Sequence, residues 1–544
     1  MERQRKQNKQ EGDDRISVLP EPIIHEILSH LHDTKAAART SVLSKTWQRA
    51  WASFPCVVFN EWNFDARSSE SPDNSPEENR RIRMKKNAFM TYIDKTLRSR
   101  DSSVEEFALQ LTYHDKELLL PRVVEWLTIA TERKVKALGL FLSIIHFSDG
   151  NESGKPIYYS LPQVVLEAKT ITELRLKFCK LEPCNEFKFC HLKTLVLNNV
   201  RLDEQVIQNL TLRCPLIEDF RLICCHGLKH LKVSNLLRLN LLHVYARRKV
   251  SRIEIKAPSL QTFYYWSKDS YRLQSVNVHC DIYLEACKNL KRLELVGLSN
   301  RTIELLQSLS SKFPTLEVLE ISTCKMASIK ISSQTLKMLK LEKCTDLEVV
   351  EVDTPNLVSL QYRLNKCLFH SFNAPSLQEV ELELDLGSCI TLWFDKLKEL
   401  VGKFNSTEGL NLVIHSEGKV ILLDGLNERV LSSGIDLKDL RPAIVIISSM
   451  SSSDLVERIL LDFSVETLSI LSRSSKFLEV LDEKLLKKLF KSEGLHQHES
   501  LFEVKVEKID KEEDPKHSKW SALLKSYKAV DYQTTNFKID WKND

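Results

Sequence analysis

The sequence predicts an α/β chain: an N-terminal three-helix unit, then an irregular solenoid of parallel strands with helix or coil returns, then a C-terminal cap. Three observations carry this. Residues 15–54 place large apolar side chains at helical spacing. From about residue 171 a spaced leucine pattern recurs at intervals of 20 to 26 residues. Beyond about residue 405 that pattern fades.

The first fourteen residues, MERQRKQNKQEGDD, are polar and are expected to form a disordered tail. A helical unit over 15–62 follows. Leu19-Pro20-Glu21-Pro22 reads as a helix start, because proline is tolerated in a first turn whose N–H groups lack intrahelical partners. Ile23, Ile24, Ile27, Leu28 and Leu31 then recur at three- and four-residue spacing, an apolar stripe on one face. His32 and Asp33 break the pattern. Ala36–Leu43 reads as a second short helix, and Leu43-Ser44-Lys45 leads into a third carrying Trp47 and Trp51 on one side. So small a unit cannot bury this many large side chains alone, so some are expected to meet another protein.

Residues 63–86 are expected to be a linker, with ARSSESPDNSPEE polar and proline-containing. The run RRIRMKK at 80–86 reads either as a nuclear signal or as the solvated face of a helix that Ala88–Leu97 continues. The repeats are assigned to 87–405. Ile171, Leu174, Leu176 and Cys179 fit LxxLxLxxC, as do Ile217, Phe220, Leu222 and Cys225. Leu316, Leu319, Ile321 and Cys324, then Leu336, Leu339, Leu341 and Cys344, repeat it; Leu357, Leu360, Tyr362 and Asn365 put asparagine in the last slot. This is the leucine-rich-repeat signature, one short strand and one return segment per unit. The Cys or Asn closes the turn after the strand, where a free cysteine behaves as a small hydrophobe.

Late repeats start 20 or 21 residues apart, too close for a full return helix, so coil or 3₁₀ turns are expected there. Earlier spacings of 25 and 26 leave room for helices at Asp203–Arg213 and Arg301–Lys312. Between about 228 and 289 the register is loose. Residues 406–544 are assigned to a cap, since an array needs a polar end over its last apolar layer; Asp482–Lys491 within it reads as a basic helix.

The N-terminal pattern LP…II..IL..L…..A.RTSVLSK.W…W resembles the F-box of plant F-box/leucine-rich-repeat proteins. LPQVVLEAKTITELRLKFCKLE and the segment after it are also close to that family. The resemblance implies a substrate-receptor subunit of an SCF ubiquitin ligase, whose F-box docks on a Skp-type adaptor held by a cullin. Carried over by position, the adaptor-facing residues would be Leu19, Pro20, Ile23, Ile24, Ile27, Leu28, Leu31, Val42, Leu43, Trp47 and Trp51. Family members often have Asp after the Leu-Pro, Pro near position 32 and Arg before the first Trp; this chain has Glu21, His32 and Thr46.

Composition points away from several other classes. The net charge of +4 on 544 residues indicates no strong field toward nucleic acid or membrane. No run of eighteen apolar residues and no signal-peptide core is present, so a nuclear or cytoplasmic chain with its 13 cysteines reduced is expected. His25 and His30 lie five apart, one too many for a helical HExxH zinc pair. No phosphate loop or nucleophile elbow occurs, and 13 glycines leave little room for Gly-rich cofactor loops. The chain is read as a non-enzymatic receptor with no metal and no cofactor.

Side chains alternate along a strand, so the residues between the leucines face the concave surface. Arg175, Lys177, Arg221, Glu320, Glu342 and Arg363 are expected there. Glu379, Glu381 and Glu383 should form an acidic end that recruits a basic partner segment, a solvated face being the alternative. Two functions remain. One is a ligase receptor whose repeats bind the protein to be ubiquitinated, with a small molecule helping the grip as an open variant. The other is a repeat scaffold whose F-box does not act in a ligase.

Overall fold

The structure is a computed structural model. It describes residues 16–385 apart from 17–18, 32–33, 65–75, 101–102, 114–115, 145–157, 184–186, 247–249, 268–279, 299–305, 307–308, 345 and 365–368. Beyond these it describes 409–416, 443–448, 467–472, 504–508 and 533–541. The tail 1–14, Asp482–Lys491 and the last-slot Asn365 therefore lie outside the described residues. The chain divides into two units, 1–268 with 280–287 and 269–279 with 288–544.

The first unit opens on α1 (Glu21–Ser29), α2 (Thr34–Thr40) and α3 (Lys45–Ser53). Pro20 caps α1 and Pro22 lies in its first turn. Ser44 caps α3, its hydroxyl accepting the Trp47 N–H at 3.3 Å. Ile24, Leu28, Ala37, Trp47, Ala50 and Phe54 form the shared core of the three helices.

The chain then passes directly into β1 (Cys56–Asn60), α4 (Glu61–Phe64), α5 (Pro76–Arg98), β2 (Glu106–Tyr113), α6 (Lys116–Glu132) and β3 (Ala137–Ile144). Next come β4 (Tyr159–Ser160), α7 (Gln163–Leu166), β5 (Glu173–Lys177), β6 (Cys179–Lys180), β7 (Thr194–Asn198), α8 (Glu204–Arg213) and β8 (Asp219–Ile223). β9 (His230–Val233), β10 (Leu241–Ala246), β11 (Arg252–Lys256), β12 (Thr262–Ser267) and β13 (Asp281–Glu285) complete the unit. The main sheet runs β1-β2-β3-β5-β7-β8-β10-β12, every pair parallel. A return layer runs β9-β11-β13, also parallel. Alternate residues of both layers are buried, Leu174 and Leu176 of β5 and Ile253 and Ile255 of β11 among them.

The second unit contains β14 (Arg292–Val296), α9 (Leu309–Lys312), β15 (Val318–Ser322), β16 (Ser328–Ser332), β17 (Met338–Glu342), β18 (Val349–Asp353) and β19 (Ser359–Leu364). β20 (Phe369–Asn373), β21 (Glu379–Asp385), β22 (Gly409–Ser416), β23 (Ala443–Ser448), β24 (Thr467–Ser472), β25 (Val504–Lys508) and β26 (Gln533–Trp541) follow. Its main sheet is parallel from β14 through β15, β17, β19, β21, β22 and β23 to β24. It then turns antiparallel, β24 pairing β26 and β26 pairing β25. The return layer is β16-β18-β20.

Five of the described strands close on the same backbone device. The residue after the strand takes a left-handed conformation: Phe178 (φ 58°), Cys224 (φ 53°), Ala286 (φ 57°), Thr323 (φ 50°) and Lys343 (φ 51°). The following cysteine then turns inward. Cys179 donates Sγ–H to the carbonyls of Lys177 (3.5 Å) and Leu140 (3.9 Å), and Cys225 to those of Leu197 (3.3 Å) and Ile223 (3.8 Å). Cys324 and Cys344 repeat the arrangement, and so does Cys287, which the leucine pattern had not marked. The thiol is a second donor in this turn, since the Ile223, Ser322 and Glu342 carbonyls already accept the N–H groups of Asn199, Gly297 and Thr323.

Several boundaries differ from the sequence expectation. Residues 76–86, assigned to a linker, begin the 23-residue helix α5, because Pro76 opens it and its apolar side Phe89, Ile93 and Leu97 is buried. The main sheet starts inside the stretch assigned to the helical unit, at β1, where Val57 and Phe59 are buried. The sheet does not end at 405: β22, β23 and β24 continue it in parallel register before the antiparallel turn. The expected helix at Asp203–Arg213 is α8, capped by Asp203, whose side chain accepts from the Val206 N–H at 3.0 Å. The loose stretch 228–289 holds five ordered strands; Val233, Val244, Ile253, Ile255, Phe263 and Tyr265 share the buried strand positions there with Leu231 and Leu242.

Candidate functional site

Two surfaces are candidates. The first is on the three-helix unit. Helical spacing puts Ile23 and Ile27 of α1 on its outer side, 49% and 38% exposed, while Val42 and Leu43 of the α2–α3 turn are 85% and 55% exposed. Ile16 (55%) and Pro20 add to these exposed apolar groups. Such side chains gain nothing in water and are what a partner would cover.

The carried-over set is therefore corrected. Ile24 (0% exposed), Leu28 (1%) and Trp47 (3%) face the core of the unit and are unavailable to a partner. The stripe was one helical face in sequence, but α1 needs part of it to pack on α3. The Trp47 indole also donates to the Ile16 carbonyl at 2.9 Å. Leu19, Leu31 and Trp51 are half-buried against the same core. Trp51 is further covered by Arg100, whose guanidinium lies 4.0 Å from the ring centroid.

His25 is a staple between α1 and α3, with Nε2 2.9 Å from the Ala50 carbonyl and 3.2 Å from Ser53 Oγ. Among the described residues no cluster of His, Cys, Asp or Glu has the makings of a metal site. Burial pushes the Cys179 and Cys225 thiols up to about 12 and the Cys324 thiol up to about 11. Thiols held protonated in this way are poor ligands and nucleophiles.

The second surface is the open face of the main sheets. In the second unit the expected charges are present but joined to one another. Arg292 pairs with Glu320, Lys340 with Glu342 (3.0 Å), and Arg363 with both Glu342 (3.6 Å) and Glu381 (2.7 Å). Glu381 is thus paired in place, and the side chain of Glu383 lies outside the described residues. Glu379 is exposed at the start of β21.

In the first unit Arg175 pairs with Glu173, and Lys177 places its ammonium 5.4 Å from the Phe178 ring centroid. Arg221 holds Asp219 through Nε (2.9 Å) and Nη2 (2.7 Å). The register then brings a group the leucine pattern had missed. Arg221 stands beside His243, and His243 beside Tyr264; one pleat on, Ile223 stands beside Tyr245 and Tyr245 beside Trp266. His243 packs edge-on against Tyr264 (5.6 Å) and Trp266 (5.7 Å), and Tyr245 against Trp266 (6.0 Å). The signal was period-two alternation in LLHVYA and TFYYWS, whose buried partners are Leu242, Val244, Phe263 and Tyr265.

A family model described as the At1g61320/AtMIF1 LRR domain matches residues 98–276 and 267–421, and an F-box domain model matches 16–59. The chain belongs to the plant F-box/leucine-rich-repeat family. It is 27% identical over 283 residues to the F-box protein At5g03100 of Arabidopsis thaliana, covering 52% of this chain and 78% of that one. It is 26% identical over 272 residues to F-box/LRR-repeat protein 25 of the same plant, covering 49% and 88%. With the putative F-box protein At3g58860 it shares 32% identity over 214 residues, 39% of this chain and only 42% of that protein. Within this F-box/leucine-rich-repeat chain, the F-box model ends at residue 59, inside β1. Module and first repeat strand therefore share a segment.

Proposed function

We propose that this F-box/leucine-rich-repeat protein is the substrate-recognition subunit of an SCF-type ubiquitin ligase. The F-box binds a Skp-type adaptor and through it a cullin, and the open face of the repeats binds the protein to be ubiquitinated. The observation that carries the reading is the exposure of Ile23, Ile27, Val42 and Leu43 around a well-filled core. A decayed F-box would have no reason to keep large apolar groups in water above a packed interior.

The chain itself performs no chemistry in this reading. It holds two partners on one chain and raises their effective concentration. Within the first unit the F-box is continuous with the sheet: α3 runs into β1, and β1 pairs with β2 in register from Cys56↔Glu106 to Asn60↔Gln110. Glu61 accepts from the Thr112 N–H (2.6 Å) and hydroxyl (2.7 Å), and Lys86 lies 3.7 Å from Glu61.

Reconstitution tests it. Full-length chain mixed with a plant Skp-type adaptor and a cullin should elute as one complex, and Ile27→Asp should release the chain while leaving it folded. Elution of folded wild-type chain apart from the adaptor would favour a repeat scaffold acting outside a ligase. Nuclear or cytoplasmic residence is part of the proposal; Arg80, Arg81 and Arg83 on the exposed side of α5 are the residues to replace when testing import.

A further inference from the structure

On the open face of the first unit the chemistry changes abruptly along the array. β5 and β8 present Arg175, Lys177 and Arg221; β10 and β12 present His243, Tyr245, Tyr264 and Trp266. All four rings are only half-buried, which is unusual for aromatic groups with a core available below them. Along β5, β8 and β10 the carboxylates on this face are Glu173, paired with Arg175, and Asp219, held by Arg221.

Arg221 uses Nε and Nη2 on Asp219, which leaves Nη1 toward an incoming acceptor. Beside it, His243 Nε2 is shielded from solvent and has no hydrogen-bond partner among the described residues. Burial first, then the Arg221 charge, lowers the pKa of His243, so the ring is neutral at physiological pH and carries one N–H to donate. Asp219 offsets much of the Arg221 charge, so what Nη1 offers a guest is chiefly a directed N–H. An anionic group at Arg221 and an apolar ring on Tyr264 and Trp266 satisfy every feature of the patch.

We infer that this patch is the recognition site for an acidic–aromatic peptide segment, its carboxylate on Arg221 and its aromatic or prolyl ring on Tyr264 and Trp266. The inference rests on the receptor reading and names the class of substrate segment that the repeats take. The sheet sets the spacing. Arg221 and Tyr264 are two strands apart, about 10 Å at ordinary strand separation. An extended peptide rises about 3.3 Å per residue, so acid and ring belong about three residues apart.

Fluorescence anisotropy on the full-length chain tests it, using labelled Gly-Ser-Asp-Asp-Ser-Gly-Trp-Pro-Ser-Gly and the same peptide in reversed order. Saturable binding of either is expected, with Trp266→Ala and Arg221→Gln each weakening it about tenfold or more. Arg221→Glu should prefer a peptide with lysine in place of aspartate. Tyr245→Leu, a milder change on the same face, should also weaken binding. No saturable binding of either peptide, equal binding by the variants, or tighter binding of a uridine oligonucleotide that stacks on the same rings overturns the inference. Adaptor binding is measured alongside. Adaptor bound without peptide defeats this site alone, and peptide bound without adaptor defeats the ligase reading alone.

Discussion

Arg100 caps the end of the F-box from the repeat side. Its guanidinium lies 4.0 Å from the centroid of the Trp51 ring, Nη2 donates to the Trp51 carbonyl at 2.8 Å and Nη1 to the Phe54 carbonyl at 2.5 Å. Both carbonyls are at the C-terminal end of α3, where a cation complements the helix dipole and the last orphan acceptors. Arg100 is 2% exposed, and burial lowers its pKa to about 10, so it stays charged at neutral pH. The last F-box helix and the repeat sheet are thereby held in one orientation.

Arg100→Met should remove this cap and strand the Phe54 carbonyl, while the Trp51 carbonyl keeps the Phe54 N–H at 3.3 Å; a buried group left unpaired costs about 1–3 kcal/mol. Trp51→Ala should act in the same direction, because Trp51 serves the joint rather than the adaptor. Thermal melts check both. A Trp51→Ala chain with unchanged melting but lost adaptor affinity would return Trp51 to the outer surface.

The cysteine slot predicts a different pattern. Cys324 Sγ accepts the Leu298 N–H at 3.4 Å as well as donating to Leu295 and Ser322. Cys324→Ala should strand that N–H and cost about 1–3 kcal/mol. Denaturant titration reads the cost. The wild-type thiol, held up near 11 by burial, should stay unlabelled by a maleimide until the repeats unfold.

Lys343 is an exposed residue held at φ 51° only by its place after β17. Its N–H donates to the Arg363 carbonyl at 2.6 Å, and a glycine there would keep that bond. Relief of the left-handed penalty is about 1 kcal/mol, so Lys343→Gly should raise the denaturation midpoint. A lowered midpoint would mean that the Lys343–Glu342 pair at 3.7 Å outweighs the backbone term.

His243 gives a pH signature. Its folded pKa is lowered by burial and by Arg221, with Asp219 opposing, so the folded state binds fewer protons than the unfolded chain. Its contribution is present above the unfolded value of about 6.5 and is lost as pH falls from there toward the lowered folded value. His243→Gln should therefore melt closer to wild type at pH 5.5 than at pH 7.5, both pH values being approximate. The groups facing His243 are Arg221, Asp219, Tyr264 and Trp266, and only the first two carry charge across that range.

The architecture was legible because leucine spacing reports a buried strand face directly: Leu174 and Leu176, or Leu339 and Leu341, are interior as their pattern required. It was less legible at 228–289, where Val244, Phe263 and Tyr265 fill the same positions without a leucine signature. The F-box motif identified the module but could not divide its stripe. Ile23 and Ile24 are neighbours in sequence, yet one is outside and the other inside, a distinction made by α3 and not by spacing. Charge pairing was the least legible of all. Arg363 and Glu381 are eighteen residues apart in sequence, and only the parallel register of β19 and β21 brings them to 2.7 Å.

The most direct measurement is calorimetric titration of a plant Skp-type adaptor into full-length chain, wild type and Ile27→Asp, with Ile24→Asp as the buried control. Wild type should bind tightly. Ile27→Asp should lose about 2 kcal/mol of affinity, roughly thirtyfold, at unchanged melting temperature. Ile24→Asp should instead collapse the melting transition. Equal affinity for wild type and Ile27→Asp, or no heat of binding with a folded chain, would contradict the proposed function.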